Sequence, residues 1–353
     1  MEKHLKFNFL RKLKNHKKKN RKTIKKPLCF IFIIFIIIMT YYINFSKNLN
    51  NKKNIIPIAF SADNNYIYPL IVLLTSILFN SEKSTNYRFY IMIPYSFYSK
   101  NKRKILYLSR KYTNCKIKFY NLGKKYLNWS HKKHYSQTVY YRLLLPNLIK
   151  DLDKIIYLDC DTIVHKDLRE FYNLKMKDKY YMGFPAHEIS YLVINGTRNF
   201  INSGVILINL KQLRKINAPK MYEDYYKIHG TKKEDEYLIN IIFYDKISFL
   251  PFKYGIPDFI KGHRVIGSPS LFWHKLKGYT NKSENEMISS AKDPTITHGS
   301  YTLTKWWNKK YNSLSEIGKN WLFYASKSNV FNEICDKYKQ FKNICNKIKM
   351  SKQ

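Results

Sequence analysis

From residue 55 onward the chain alternates short runs rich in Ile, Val, Tyr and Phe with stretches of helical spacing, and few folds accommodate that alternation. Strand-like runs fall at 55–60, 88–93, 115–122 and 154–158. Between them, residues 66–79 place Leu70, Leu73, Leu74, Ile77 and Leu78 on one helical face, a basic helix leads to Tyr112, and 138–149 has helical spacing. Strands joined by crossover helices build a parallel sheet with a binding crevice at its carboxyl edge. The predicted fold class is α/β: a Rossmann-like, mainly parallel sheet flanked by helices. Further strands are expected at 180–184, 205–210, 247–252 and 295–298, joined by longer loops suited to a substrate wall. No repeat or Gly/Pro-rich break interrupts 55–310, which reads as one domain.

The segment before this domain has a different character. Residues 1–26 are a basic tail, and 27–43 contain no charge. Seventeen residues at about 1.5 Å each reach about 25 Å, enough for a thin bilayer. The run has no polar face, and no small-x-small cleavage site follows it, so it is expected to be an uncleaved transmembrane anchor. Twelve Lys and Arg residues precede it, against Lys47, Lys52 and Lys53 after it. The positive-inside rule then keeps the tail cytoplasmic and carries the rest across, a single-pass type II topology. Residues 44–54 are a polar linker.

The whole chain has 64 basic and 24 acidic side chains, a formal charge of +40. Outside the tail this excess is dispersed, with no zinc finger, helix-turn-helix or RNP-like run, so no nucleic-acid partner is expected. Five cysteines without C-x-x-C spacing argue against a disulfide framework or a zinc site. The last segment, 311–353, carries Phe331, Ile334, Tyr338, Phe341, Ile344 and Ile348 at helical spacing among lysines. It reads as a basic amphipathic helix that caps the domain or lies on anionic lipid. On one such helix Cys335 and Cys345 would be too far apart to bridge.

Six short motifs carry chemistry. Asp159-Cys160-Asp161 follows the apolar run 155–158, so two carboxylates reach past a strand end, where they can grip a divalent cation that neutralises a diphosphate. Their hard oxygens suit Mn²⁺ or Mg²⁺. Asp151-Leu152-Asp153 has the same spacing without the preceding run and reads as a solvated turn. A lone histidine after a strand is usually structural; His298, at the end of 295–298, could instead complete a metal shell, with Gly299 and Lys305 meeting phosphate oxygens. Ser61-Ala62-Asp63-Asn64-Asn65-Tyr66 ends the first strand, over the base of a bound nucleotide. Arg142, the run Asn202-Ser203-Gly204-Val205, and the run from Glu234-Asp235-Glu236 to Asn240 complete the set.

In this order and spacing the motifs resemble the family 8 glycosyltransferases, which include bacterial lipopolysaccharide galactosyl- and glucosyltransferases and glycogenin. The resemblance runs from about Ile56 to Trp307. It implies a GT-A fold, a UDP-sugar donor, a Mn²⁺ (or Mg²⁺) cofactor, retention of anomeric configuration, and a glycan, glycolipid or glycoprotein acceptor. It implies donor contacts from Ala62, Asp63, Asn65, Tyr66, Arg142, Asp159, Cys160, Asp161, Asn202, Ser203, Gly299 and Lys305. Asp159, Asp161 and His298 are the implied metal ligands, and Asp235, Glu236 and Arg142 the implied catalytic groups. Three departures stand out. Glu236 and Tyr237 replace the last two residues of an Asp-Gln-Asp run, His187 replaces an acceptor-side Asp, and the spacing from His298 to Lys305 is one residue longer. Glu236 leaves front-side and double-displacement routes both open.

The alternative is a catalytically inactive nucleotide-sugar-binding module of the same fold. Intact Asp159, Asp161, His298 and Lys305 weigh against it. A translocated domain that uses cytosolic nucleotide sugars needs a compartment that imports them, which points to a Golgi or ER lumen. A bacterial inner membrane would keep the domain on the cytoplasmic face, contrary to the charge rule. His131 and His134 have metal-ligand spacing but lie in a basic polar loop, and a pocket-lining role is left for His134. Asn44, Asn128, Asn195 and Asn281 begin N-x-S/T sequons.

Overall fold

The computed structural model describes residues 34–42, 55–130, 136–186, 200–231, 234–257, 283–299 and 316–351. The chain divides into two compact units, Met1–Ile55 and Ile56–Gln353. In the first unit, residues 34–42 are helical and exposed, while the basic tail and the rest of the apolar run lie outside the described residues. Among the described residues no helix is long and apolar enough to cross a membrane. The anchor expected at 27–43 therefore has no support from the structure.

The second unit is built on a seven-stranded sheet of order β3-β2-β1-β4-β7-β6-β8. Its strands are β1 (Ile55–Ser61), β2 (Asn86–Ile93), β3 (Cys115–Asn121), β4 (Ile155–Leu158), β6 (Tyr181–Pro185), β7 (Ile201–Ile208) and β8 (Ile247–Phe249). β1 runs parallel to β4, β2 to β3, and β6 to β8. β7 runs antiparallel to both of its neighbours, β4 and β6. The expected mainly parallel α/β sheet is present, with one reversed strand near its centre. All four residues of β4 are buried, because both faces are covered; the strand therefore reads as a continuous apolar run rather than an alternating one.

Helix α1 (Ile67–Phe79) lies on the sheet, and α2 (Ser99–Lys111) follows β2. Leu73 and Leu74 of α1 are fully buried, and truncating either to Ala would cost about 2–5 kcal/mol. Past β7, α3 (Glu234–Ile242) buries Leu238 and Ile239 in the core. Asn240 on α3 is 1% exposed, and its amide both accepts from Ile201 N and donates to Ile201 O, each at 2.8 Å. That clamp docks α3 on the first residue of β7. Helix α4 (Glu316–Lys327) covers α1, with Phe79 edge-on to Phe323 at 5.4 Å.

Three expectations change. Residues 138–149 are not one α-helix: Gln137–Leu144 is a 3-10 run, and a short α-helix restarts at Leu145–Leu148. Pro146 explains the restart, since its missing N–H is harmless only in a helix's first turn. The run Asn202-Ser203-Gly204 lies inside β7 rather than before it. The C-terminal segment is also broken, into α5 (Phe331–Lys337), a 3-10 turn at Lys339–Phe341 and α6 (Lys342–Met350). Tyr338 and Phe341 turn inward against Trp321. The fold-back brings the α-carbons of Cys335 and Cys345 to 6.1 Å, and they form a disulfide. A straight helix would have held them about 15 Å apart.

Candidate active site

β4 delivers Asp159, Cys160 and Asp161 to the carboxyl edge of the sheet, beside the end of β1. The turn after β4 brings both carboxylates to one point. The Cys160 thiol is buried and donates to Ser61 O at 3.3 Å. Thr162 fixes the turn after the pair: its hydroxyl donates to Asp159 O at 2.8 Å.

A small second sheet, β5-β10-β9, recruits the histidine. Its strands are β5 (Thr162–Val164), β9 (Tyr254–Pro257) and β10 (Ile296–His298). β10 pairs antiparallel with β5, which places His298 opposite Thr162, and Gly299 N donates to Asp161 O at 2.7 Å. Ligand atoms of Asp159, Asp161 and His298 all lie within 4.8 Å of one another. His298 Nε2 is 3.4 Å from Asp161 Oδ1. Metal bonds of about 2.1 Å bridge atoms about 4 Å apart, so small side-chain shifts would suffice for one ion. Two carboxylates and one imidazole form a donor set that could hold one divalent metal ion.

Gly204 makes room for this triad. A β-carbon there would lie 2.3 Å from His298 Cε1 and 2.8 Å from Asp159 Oδ2. Gly204 O accepts from Asp159 N at 2.8 Å, so strand pairing sets that close approach.

Arg142 is 4% exposed and organises the neighbouring acids. It donates to Asp159 Oδ1 at 2.7 Å and to Ser203 O, and its Nε lies 3.1 Å from Asp235 Oδ2. The Nε–H itself points to Val139 O, which leaves Asp235 Oδ2 without a hydrogen-bond donor among the described residues. Burial alone pulls the guanidinium pKa down, but Asp159 and Asp235 more than offset that, and the group is held above its ordinary value. Burial pushes the Asp235 carboxyl up to about 6, against the pull of Arg142 and with help from Asp159.

Glu236, one position on, accepts from Asn202 Nδ2 at 2.8 Å and Ser203 N at 3.3 Å. Asn202 Oδ1 accepts from Gly204 N at 2.9 Å. The tripeptide 202–204 thus touches Glu236, Arg142 and the triad. At the end of β1, Asp63 Oδ1 accepts from Asn65 N at 2.8 Å and Tyr66 N at 3.3 Å, which shapes the loop expected over a base. Ala62 N donates to Met92 O at 3.1 Å. Burial, with Cys160, Asp63 and Asp159 nearby, pushes the Tyr66 phenol up.

The structure therefore gathers Arg142, Asp159, Asp161, Asn202, Ser203, Asp235, Glu236, His298 and Gly299, with Tyr66 beside Asp159. Lys305, His187, His131 and His134 lie outside the described residues. Sequence reasoning passed over Tyr157, whose hydroxyl donates to Asp159 Oδ1 at 3.0 Å. Its signal was strand parity: Tyr157 and Asp159 are two residues apart and share a face.

The family profile of glycosyl transferase family 8 matches residues 57–310. The chain belongs to this family. Among its relatives, a putative glycosyltransferase of Haemophilus influenzae is 26% identical over 265 residues, covering 68% of this chain and 79% of that protein. The lipopolysaccharide 1,2-glucosyltransferase of Escherichia coli is 26% identical over 251 residues, covering 64% and 72% respectively. In fold, the chain is similar to the galactosyltransferase LgtC bound to donor and acceptor sugar analogues. That match has a TM-score of 0.64 at 19% identity and covers 78% of this chain and 96% of the other. The matched span of the family profile includes every site residue nominated from the sequence.

Proposed function

We propose that this glycosyltransferase is a metal-dependent, retaining enzyme that moves a hexose or pentose from a UDP-sugar to a glycan, glycolipid or glycoprotein acceptor. The observation that carries the reading is the convergence of Asp159, Asp161 and His298 within 4.8 Å, from chain segments remote in sequence. These three residues would hold Mn²⁺ (or Mg²⁺), which when bound neutralises the diphosphate that leaves.

The chain's own residues supply the rest. Asp63, Asn65 and Tyr66 frame the base, and Ala62, Cys160, Ser203 and Gly299 border the donor with backbone or small side chains. Lys305 carries the charge expected to meet the diphosphate. Asp235 Oδ2 is the acceptor left for a donor-sugar hydroxyl, and Arg142 fixes the acids that would bracket that sugar. Asn202 and Ser203 N hold Glu236 for the carbon where the bond breaks, and a charge fixed in place before reaction stabilises a cationic transition state. In the front-side route the leaving phosphate oxygen takes the acceptor proton, so no separate base is required.

Residues 27–43 serve in this reading as a single-pass membrane anchor, with the basic segment 311–353 as an accessory contact to lipid. The catalytic unit then works in a compartment that imports nucleotide sugars, such as a Golgi or ER lumen. The two relatives named above are bacterial, and a bacterial inner membrane would instead hold the unit on the cytoplasmic face. The Cys335–Cys345 disulfide favours the translocated arrangement, because such bonds persist in oxidising compartments. Protease protection in sealed vesicles separates the two.

The test of the activity is a panel of UDP-sugars with released UDP as readout, with and without Mn²⁺. Turnover of at least one donor, lost in Asp161→Ala, is the expected result. Absence of turnover with every donor, together with absence of UDP binding, would overturn the reading.

A further inference from the structure

The two oxygens of Asp159 face different partners. Oδ1 accepts from Tyr157 OH at 3.0 Å and from Arg142 at 2.7 Å. Oδ2 borders the space beside Gly204: a β-carbon there would lie 2.8 Å from this oxygen and 2.6 Å from His298 Nε2. One oxygen is thus held by the protein, and the other is turned toward the imidazole.

Tyr157 is fully buried in β4. Its ring lies under the Arg142 guanidinium, 4.1 Å from centroid to carbon. A tyrosine phenol keeps its proton at neutral pH, so the hydroxyl donates to the carboxylate it touches. Arg142 alone is a diffuse constraint, since its guanidinium also serves Asp235, Ser203 O and Val139 O. A second donor on Oδ1 fixes the rotation of the carboxylate about its own bond.

We propose that Tyr157 is a positioning residue for the cation site: its hydroxyl holds Asp159 so that Oδ2 is presented to the ion beside Asp161 and His298. The inference rests on the metal-dependent reading above. Groups that orient a ligand from behind are worth about 10–100-fold in metal affinity.

Manganese titration of the purified full chain, by calorimetry or by the electron paramagnetic signal of free Mn²⁺, tests it without any turnover. Tyr157→Phe keeps the ring and is expected to bind Mn²⁺ about 10–100-fold more weakly than wild type. In the transfer assay, saturating Mn²⁺ should rescue that variant, so the loss appears in apparent KM for the metal more than in kcat. Tyr181→Phe is the comparison, because it removes the hydroxyl that Tyr181 of β6 presents to the buried Tyr222; it should keep wild-type affinity. Affinity of Tyr157→Phe within about twofold of wild type overturns the proposal, and so does an equal loss in Tyr181→Phe, which would mark general loosening of the core. Wild-type protein that binds no Mn²⁺, or Asp161→Ala that binds it undiminished, overturns the metal-dependent reading and this inference with it.

Discussion

Gly204 Cα stands so close to His298 that a single added methyl would come within 2.6 Å of Nε2. The strand that carries Gly204 runs antiparallel to the one that ends at Leu158, just before Asp159, so neither backbone can retreat without breaking the centre of the sheet. Gly204→Ala is therefore expected to displace the imidazole rather than the strand. Mn²⁺ affinity should fall on the order of 100-fold, while circular dichroism and the urea midpoint stay close to wild type. Full metal affinity in this variant would show that the triad does not form around that space.

Asp235 gives a pH signature. Its carboxyl is pushed up from the ordinary 3.8 to about 6 by burial. Below about pH 4 the group is neutral in folded and unfolded chains alike. Between about 4 and 6 the unfolded chain ionises first, so this residue's share of stability is lost as pH rises, and above about 6 the loss is complete. Asp235→Asn removes that slope. Urea unfolding from pH 4 to 7 should find the variant gaining on wild type across this window, and a constant difference would place the carboxyl near its ordinary value.

Asn202 holds Glu236 through one end of its amide and Gly204 N through the other. Asn202→Ala should lower kcat by about 10–1000-fold, the range for a displaced electrostatic group. UDP affinity should change little, because no base or diphosphate contact is removed. A variant whose defect lies wholly in UDP binding would assign Asn202 to the nucleotide instead.

The Cys335–Cys345 bridge closes a short loop, with a sequence separation of 10. Closing a loop of that length stabilises by about 2–3 kcal/mol in the chain-entropy picture. Reductant, or Cys345→Ser, should lower the thermal midpoint of the catalytic unit by that equivalent without removing Mn²⁺ binding. Scanning calorimetry with and without dithiothreitol measures it.

Much of the site was legible in the sequence because it sits where strands end. Asp159 and Asp161 follow an unbroken apolar run, and only a central strand needs one. His298 could be nominated at the end of β10, although its meeting with Asp161 depends on the antiparallel pairing of β5 and β10, which no local pattern encodes. β7 was harder. Asn202, Ser203 and Gly204 are poor strand formers, yet they are held extended between the pairs that β6 makes at Ile201 and Ile206 and by the Asn240 clamp on Ile201. Tyr157 looked like core because it is core; its hydroxyl acquires a role only through Asp159. The break at Tyr338 was hidden by apolar spacing that fits one long helix, whereas burying Tyr338 and Phe341 against Trp321 outweighs helical continuity.

The C-terminal bridge ties folding to chemical surroundings. Abundant glutathione would open it and free α6 from α5, while an oxidising milieu would keep the two stapled. Copies held in a reducing compartment would thus carry a loosened tail, and proteases could tell them from oxidised ones.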